Sequence, residues 1–323
     1  MKQKIYIALK VAEEVKHYLR QFFEVKSWDE EEIVPRVILL QEVADCQGVM
    51  LAGHKIDDEF LNMAPQLKVV CNVTVGYNNF DIQAMKKRNI LGTNTPGVVD
   101  NSTADLVFAL ILATARKIPQ LDHYIKSGHW LEEFSVEFYG TDVHHTTIGI
   151  IGMGRIGEVI AKRATFGFDM DVIYHNRSRN YKAEEYVGAK YCTLEQLLAV
   201  SDFVVLMTPL TEETRHLMGE AQFRLMKKSA IFINASRGGT VDQTALVKAL
   251  REGWITGAGL DVFETEPIHI HDPLLQLSNV VTVPHIGTAT RKTSFDMAML
   301  AANNLATALQ GKQPPNIVKE LIK

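Results

Sequence analysis

The sequence predicts an α/β fold made of two doubly wound parallel-sheet domains. Short runs rich in β-branched residues alternate with amphipathic helical stretches, which is the pattern of βαβ units. This alternation occurs twice along the chain, and 323 residues are more than one hydrophobic core usually serves. Together these observations favour two domains, each with a parallel sheet covered by helices.

The first series of alternating elements occupies about the first 100 residues. Its clearest helix is predicted from Glu13 to Phe23. Its strand candidates are Ile5–Leu9, Gly48–Leu51, Leu67–Cys71 and Ile90–Gly92. This series is sufficient for one small α/β domain.

The second series is longer and predicts a larger sheet. Its strand candidates are Thr147–Ile151, Asp171–His175, Phe203–Met207, Ala230–Asn234, Thr256–Val262 and Val280–Val283.

Two long helices connect the series. The stretch "NSTADLVFALILATARKI" predicts a helix capped by Asn101 or Ser102, with Asp105 completing a capping box. The stretch "TSFDMAMLAANNLATALQG" predicts a last helix that ends at Gly311 and returns to the first domain. One domain is therefore predicted to comprise residues 1–100 and 287–323, and the other residues 101–286.

A glycine-rich turn follows the first strand of the second series. In "GIIGMGRIG", Gly152, Gly154 and Gly157 have the spacing GxGxxG between a strand and a helix. The first glycine permits a tight turn, the second lets a pyrophosphate approach the backbone, and the third lets the helix pack on the strand. The motif predicts a dinucleotide site, and the alternative is a βα turn without a ligand.

The residues after the next strand indicate which dinucleotide is bound. NAD sites place an acidic residue at the end of this strand, but here the strand ends "VIYHNRSRN" with His175 in that place. Asn176, Arg177 and Ser178 follow, and guanidinium and hydroxyl groups can bind the 2′-phosphate that an acid would repel. We therefore expect NADP(H) to be preferred, with NAD(H) as the alternative if the arginines of this loop are merely solvated.

Three later strands are each followed by an ionisable residue, where open α/β sheets bind ligands. These residues are Arg237 in "IFINASRGG", Glu266 in "AGLDVFETEP" and His285 in "VVTVPHIGTAT". An arginine can polarise a keto group and hold a carboxylate, and a histidine can protonate the new alkoxide. A carboxylate beside the imidazole favours its protonated form. The set therefore fits the reduction of a keto acid by hydride.

Other interpretations of these loops remain open from the residues alone. Each side chain could instead form a surface ion pair, cap a helix or be solvated, and spacing does not choose between Glu266 and Glu264. His269, His271 and Asp272 in "HIHD" could be metal ligands. However, no further ligand lies at a suitable spacing from this stretch, and these residues are expected to lie on the surface. No metal site is predicted.

These motifs together resemble one known family. The combination of "GIIGMGRIG", "INASRGGTVD", "GAGLDVFETEP" and "NVVTVPHIGTAT", with "VTVGYNNFD" in the first half, is similar to the D-isomer-specific 2-hydroxyacid dehydrogenases from about residue 45 to residue 310. The stretches "TNTPGVVDNSTADLVFALILATAR" and "GTDVHHTTIGIIGMGRIG" are most similar to glyoxylate/hydroxypyruvate reductases and bacterial 2-ketogluconate reductases. The resemblance implies a Rossmann cofactor domain inserted into a flavodoxin-like substrate domain, with the active site in the cleft between them.

The resemblance also implies roles for individual residues. Arg237 would bind the substrate carboxylate and keto oxygen, His285 would be the general acid, and the family pattern favours Glu266 over Glu264 as its partner. The backbone amides of Val75 and Gly76 would bind the substrate carboxylate. Motifs and resemblance together predict these cofactor-binding residues: Gly152, Gly154, Arg155, Ile156, Gly157, Asn176, Arg177, Ser178, Thr208, Pro209, Ala235, Asp261, His285 and Gly287.

The implied activity is hydride transfer from NADPH to a small 2-keto acid such as glyoxylate or hydroxypyruvate, giving the D-2-hydroxy acid. The alternatives are a 2-ketogluconate reductase, a broader D-2-hydroxyacid dehydrogenase, or a nucleotide-sensing protein similar to the C-terminal-binding corepressors. Formate is disfavoured because formate dehydrogenases have glutamine where Glu266 stands. The resemblance further implies a homodimer with its contact in the segment from Asn101 to Trp130.

Composition excludes several other classes of partner. The 34 Lys and Arg against 38 Asp and Glu give a formal charge of −4, so no basic footprint for nucleic acid or anionic lipid is present. No apolar stretch reaches the ~20 residues that span a bilayer. The three cysteines, Cys46, Cys71 and Cys192, have no metal-ligand spacing and predict a reducing cytoplasm.

Overall fold

The computed structural model describes residues 2–130 and 135–322. It contains two sheets of parallel strands flanked by helices, which confirms the predicted α/β fold class. The chain divides into two compact units, one formed by the residues up to Val99 and from Thr288 onward, the other by Asp100–Gly287. The assignment of these units as substrate and cofactor domains stays a prediction.

The first unit is built on a five-stranded parallel sheet. Its strands are β1 (Lys4–Ile7), β2 (Glu24–Ser27), β3 (Gly48–Leu51), β4 (Val69–Asn72) and β5 (Leu91–Thr93). They lie in the order β2-β1-β3-β4-β5, which is the flavodoxin-like order of doubly wound sheets. The first four helices of the unit are α1 (Glu13–Arg20), α2 (Arg36–Glu42), α3 (Asp58–Met63) and α4 (Ile82–Lys87).

The sequence did not predict the edge strand β2. Its residues read "EVKS" with alternating exposure, so they lack the apolar run that marks a buried strand. The chain must turn after α1 to enter this strand, and α1 therefore ends at Arg20 rather than at the predicted Phe23.

The second unit is built on a seven-stranded parallel sheet. Its strands are β6 (Thr147–Ile151), β7 (Asp171–His175), β8 (Lys190–Tyr191), β9 (Phe203–Leu206), β10 (Ile231–Asn234), β11 (Gly257–Leu260) and β12 (Val280–Thr282). Their order is β12-β11-β10-β9-β6-β7-β8, the Rossmann order with one added strand. Strand order reverses between β6 and β9, and ligands bind outside the carboxyl ends of strands at such a point.

Helices cover both faces of this second sheet. They are α5 (Asp100–Ala115), α6 (Ile118–Lys126), α7 (Arg155–Phe168), α8 (Tyr181–Val187), α9 (Leu194–Val200), α10 (Glu220–Leu225) and α11 (Gln243–Arg251). Short 3-10 turns lie at Val136–Phe138, Gly238–Thr240 and Pro273–Gln276, and a fourth, at Lys319–Leu321, belongs to the first unit.

The predicted start of α5 was wrong. The helix begins at Asp100, so Asn101 and Ser102 lie within its first turn and do not cap it. Asp105 does not close a capping box, because its carboxylate accepts hydrogen bonds from Nε and Nη2 of Arg163 at 2.9 and 2.7 Å. That ion pair joins α5 to α7.

The last helix, α12 (Arg291–Leu309), returns to the first unit as predicted. It packs on β3, β4 and α1. The contact needs a glycine in β3, since a Cβ at Gly48 would lie 3.0 Å from Leu309 Cδ1 and 3.3 Å from Leu305 Cδ1. Within residues 2–130 and 135–322, no helix has both the length and the apolarity needed to cross a membrane.

Candidate active site

In the turn after β6, each glycine has the surroundings that the GxGxxG motif predicts for its position. Gly152 has φ +108°, and a Cβ there would lie 2.7 Å from the Met207 carbonyl carbon, so another residue type is excluded. A Cβ at Gly157 would lie 2.5 Å from the oxygen of Gly152, which packs α7 closely on the turn. At Gly154, by contrast, a Cβ would have no described atom within 4 Å, so the turn is open at the start of α7.

The open side of this turn fits a dinucleotide. Gly154 is the N-cap of α7 and supplies no side-chain cap, so the first amides of the helix are available to a phosphate. Arg155 follows with its side chain 61% exposed. In the loop after β9, which borders this turn, Thr208 Oγ1 is buried without a hydrogen-bond partner in the described part of the chain. A buried hydroxyl without a partner at a predicted cofactor position is consistent with a ligand there.

The loop after β7 is anchored by Asn176. Its Oδ1 accepts from the Met153 amide at 2.7 Å and its Nδ2 donates to the Met153 carbonyl at 3.2 Å. His175 Nδ1 lies 3.0 Å from the Cys192 carbonyl oxygen, so the ring is held against the protein. Asn176 therefore braces the glycine turn, a role that the sequence pattern did not show.

The charged residues of this loop fall into two kinds. Arg179 is bound to Glu184 through Nε at 3.0 Å and Nη2 at 2.6 Å, so its guanidinium is committed to the protein. Arg177 and Ser178 are exposed. The pKa of nearby Glu213 is lowered chiefly by the Thr211 hydroxyl, with a contribution from the charge of Arg177. Arg177 is therefore the arginine of this loop that remains accessible to a phosphate.

The loop after β10 presents Arg237. Asn234, which is 1% exposed at the end of the strand, accepts from the amide of Ser236 at 3.0 Å and donates to the carbonyl of Arg237 at 3.2 Å. Gly238 comes next, where a Cβ would lie 1.8 Å from the Phe263 carbonyl oxygen. The required glycine brings the arginine loop against the loop that follows β11.

Asp261 fixes the loop that follows β12. Asp261 is 1% exposed, and its carboxylate accepts from the amides of Ile286 at 2.6 Å and Gly287 at 3.0 Å. Burial raises the pKa of Asp261, and these amides together with the charge of His285 oppose that rise. Because His285 has φ +53°, the chain turns sharply there, and the two amide bonds hold that turn.

His285 and Glu266 form a hydrogen-bonded pair, with 2.7 Å between Nδ1 and Oε2. The other carboxylate oxygen accepts from the Phe263 amide at 3.0 Å. Burial would raise the pKa of Glu266, but the bonds to His285 and Phe263 and the charges of His285 and Arg237 outweigh it, so the pKa lies below its usual range. The carboxylate is ionised at neutral pH, and Nε2 is the ring nitrogen left for a substrate.

Arg237 lies near this pair and is electrostatically coupled to it. Burial lowers the pKa of Arg237, and the charge of Glu266 opposes that change. The structure therefore brings Arg237, Glu266 and His285 together from the ends of three strands. Ala235 is buried at the end of β10, and Pro209 is exposed after β9.

The structure separates the two glutamates of "ETEP". Glu264 Oε1 lies 2.9 Å from His216 Nε2, so it is paired with a different histidine. Asp272 accepts from Leu274 and Gln243. Among the residues that the structure describes, no cluster of three or more His, Cys, Asp or Glu is placed to hold a metal ion.

In the first unit, Val75 and Gly76 lie in the loop after β4. Neither amide donates a hydrogen bond within residues 2–130 and 135–322. Both amides are thus available to an acceptor, and their binding of the substrate carboxylate stays a prediction.

Comparisons with known proteins agree with this geometry. Residues 108–287 match the family described as D-isomer specific 2-hydroxyacid dehydrogenase, NAD binding domain. The chain is 46% identical to a glyoxylate reductase of Thermococcus litoralis, over 99% of this chain and 98% of that one. It is 49% identical to a glyoxylate/hydroxypyruvate reductase B of Citrobacter koseri, over 86% of each.

A solved structure is similar along its whole length. It is an NADPH-dependent glyoxylate/hydroxypyruvate reductase from Sinorhizobium meliloti in complex with NADP and malonate, with a TM-score of 0.86 and 30% identity over 99% of this chain and 98% of that one. Fold, site and similarity agree, and the chain belongs to the family of D-isomer specific 2-hydroxyacid dehydrogenases.

Proposed function

We propose that this protein reduces glyoxylate and hydroxypyruvate to the corresponding 2-hydroxy acids with NADPH, the hydroxypyruvate product having the D configuration. The observation that carries this proposal is the His285–Glu266 pair beside Arg237, on the sheet that carries the dinucleotide turn. The names of the Thermococcus and Citrobacter relatives support the choice of substrates.

Arg237, Glu266 and His285 have different roles in the reaction. A bound reduced nicotinamide dinucleotide supplies the hydride that adds to the keto carbon. Arg237 provides a positive charge that binds the carboxylate and polarises the carbonyl. His285, with Nδ1 bound to Glu266, donates the proton on Nε2 to the carbonyl oxygen. Glu266 stabilises the positive imidazolium before that transfer and fixes the orientation of the ring.

The preference for NADPH rests on the loop after β7. Arg177 and Ser178 are exposed there, and no acidic residue occupies the end of the strand. A 2′-phosphate can therefore be bound by charge-assisted hydrogen bonds where an acid would repel it. The S. meliloti relative, which is NADPH-dependent, supports the same choice.

The apolar surface near α6 supports a homodimer. Helix α6 has no buried residue, and four large apolar side chains on it and the following segment are exposed: Ile118 54%, Ile125 53%, Trp130 65% and Val136 72%. Exposed apolar side chains on this segment favour an interaction site, and we propose a second copy of the chain as the partner, as the resemblance implies for the segment from Asn101 to Trp130. A monomer in light scattering at micromolar concentration would contradict the proposal. The cytoplasmic location stays a prediction.

The activity is tested by following cofactor absorbance at 340 nm with glyoxylate, hydroxypyruvate and 2-ketogluconate, using NADPH and NADH in parallel. We expect the highest kcat/KM with glyoxylate or hydroxypyruvate and NADPH. A higher kcat/KM with 2-ketogluconate would reassign the substrate, and a clear preference for NADH would overturn the role of Arg177. NADPH binding without oxidation by any acid would favour a nucleotide-sensing protein.

A further inference from the structure

A carboxylate with little exposure lies at the start of α5. Asp100 is the first residue of this helix and is 9% exposed. Within residues 2–130 and 135–322, its carboxylate accepts no hydrogen bond. Aspartates that are removed from water are normally hydrogen-bonded or paired, because an ionised group loses its hydration in the interior. The ionised form of Asp100 therefore lacks the stabilisation that a buried carboxylate usually has.

In the described part of the chain, the one cation that approaches Asp100 is Arg155. Its Nε lies 3.9 Å from Oδ2 of Asp100, a distance that exceeds a hydrogen bond. Arg155 is the first residue of α7, directly after Gly154, and its side chain is 61% exposed. The guanidinium can therefore exchange this loose contact for a hydrogen bond to a phosphate at the open side of the glycine turn.

Two charges on α7 act on Asp100 in opposite directions. Burial has the largest effect and raises the pKa of Asp100, the charge of Arg155 lowers this pKa, and the charge of Glu158 raises it. Glu158 is held in place, since it accepts from Asn180 Nδ2 at 2.8 Å and Lys182 Nζ at 3.2 Å. The protonation of Asp100 thus depends on whether Arg155 stays beside it.

The first turn of α5 also borders another loop of the candidate site. A Cβ at Gly287 would lie 3.6 Å from Cγ2 of Thr103 and 3.1 Å from Oδ2 of Asp261. Thr103 follows Asp100 by three residues, so the two lie on one side of the helix. The start of α5 therefore borders both the glycine turn and the loop that follows β12. A dinucleotide bound along this edge of the sheet brings its negative charge close to Asp100.

We propose that Asp100 takes up a proton when the dinucleotide binds, and so couples the affinity for the cofactor to pH. On binding, Arg155 turns its charge from Asp100 to the pyrophosphate, and Asp100 meets the negative charge of the phosphates. Both changes disfavour the ionised carboxylate. The proton comes from solvent and returns to solvent when the dinucleotide leaves. The inference rests on the proposed cofactor site and is independent of the substrate.

Proton uptake on binding predicts a higher affinity in acid. At pH 8 the carboxylate of the free protein is ionised and repels the pyrophosphate, and this repulsion disappears as the pH falls through the raised pKa of Asp100. Asp100→Asn removes the charge at every pH. We expect the Kd for NADP+ at pH 8 to be about fivefold lower in Asp100→Asn than in the wild type, and the two values to agree within about twofold at pH 5.

Isothermal titration calorimetry counts the protons directly. NADP+ is titrated into full-length protein between pH 5 and pH 8, in pairs of buffers that differ in their enthalpy of ionisation. We expect the wild type to take up more protons than Asp100→Asn at the acidic end, with an excess that vanishes at pH 8. Asp100→Ala should behave like Asp100→Asn, which excludes a new hydrogen bond from the asparagine as the cause.

Asp105→Asn is the matched control on the same helix. Asp105 lies five residues further along α5 and is bound to Arg163 at 2.7 Å, so its loss should leave the proton uptake as in the wild type. Protons bound by His285 or by the 2′-phosphate are counted in wild type and variants alike. Equal uptake in wild type and Asp100→Asn, with NADP+ bound, would overturn the role of Asp100 and keep the dinucleotide site. Absence of binding with both NADP+ and NAD+ would overturn the site as well.

Discussion

Two histidine–glutamate pairs lie within the same unit and use the two glutamates of one four-residue stretch. His285 meets Glu266 at 2.7 Å, and His216 meets Glu264 at 2.9 Å. The side chains of the histidines are also similarly exposed, at 45% and 43%. Residue type, distance and exposure therefore do not distinguish a catalytic pair from a surface pair.

The difference lies in what surrounds each pair. Glu266 takes a second hydrogen bond from the Phe263 amide and is coupled to the charge of Arg237. The chain after His285 is clamped by the two amide bonds to Asp261. The His216–Glu264 pair joins two surface loops instead. We therefore expect catalysis at the His285–Glu266 pair, because its hydrogen-bond partners are held at the ends of strands.

Replacing the histidines should give the largest contrast. We expect His285→Ala to lower kcat/KM for glyoxylate by about 10³-fold, since the general acid is lost. His216→Ala is the matched control and should stay within about twofold of the wild type. Steady-state kinetics with NADPH measure kcat/KM in both variants. A similar loss of kcat/KM in the two would show that the two pairs do not differ in their role in the reaction.

Replacing Arg237, whose charge lies beside the His285–Glu266 pair, should have the next largest effect on kcat/KM. We expect Arg237→Lys to lower kcat/KM by about 10²-fold, because an ammonium keeps the charge but not the planar fork that binds a carboxylate and a carbonyl oxygen together. Kinetics at saturating NADPH, with Tm as a check on folding, measure the effect. Wild-type kcat/KM in Arg237→Lys would show that the guanidinium does not contact the substrate.

The pH profile tests the role of the carboxylate. Glu266 has a lowered pKa, so it is ionised through the neutral range and stabilises the imidazolium. Reduction needs the protonated ring, and its rate falls on the alkaline side when that proton is lost. In Glu266→Gln the negative charge that stabilises the imidazolium is absent, and we expect this alkaline fall of kcat/KM to move to lower pH.

The lowered pKa also predicts the sign of an effect on stability. The ionised form of Glu266 stabilises the fold above the ordinary glutamate pKa of about 4.3, and this contribution disappears as pH falls through the lower folded pKa. The difference in Tm between wild type and Glu266→Gln should therefore shrink in acid. An unchanged profile of kcat/KM together with a constant difference in Tm would leave Glu266 without either role.

The sequence predicted those parts of the molecule that depend on local pattern. β6 and the glycine turn follow from an apolar run and from steric demands at Gly152 and Gly157, which are local. Strands β2 and β8 were missed because they are short edge strands with exposed residues. A pattern of hydrophobicity has no signal for such strands.

The parts that depend on the path of the chain could not be predicted from spacing. Glu264 and Glu266 differ by two residues, and the histidine that each meets depends on where separate loops lie in space. The asparagines at strand ends, Asn72 and Asn234, were missed for a related reason. Their function is to hold backbone carbonyls of neighbouring residues, and an asparagine that does this has no pattern of its own in the sequence.

The smallest expected effect comes from the second pair. Glu264→Gln removes a charge from an ion pair whose side chains are 42% and 43% exposed, and exposed pairs of this kind contribute about 0–1 kcal/mol. The glutamine oxygen can still accept a hydrogen bond from His216. We expect kcat/KM within twofold of the wild type and an alkaline limb at the same pH, measured beside Glu266→Gln. If Glu264→Gln moved that limb and Glu266→Gln did not, the carboxylate that supports the general acid would be Glu264, and the bond between Glu266 and His285 would serve only the fold.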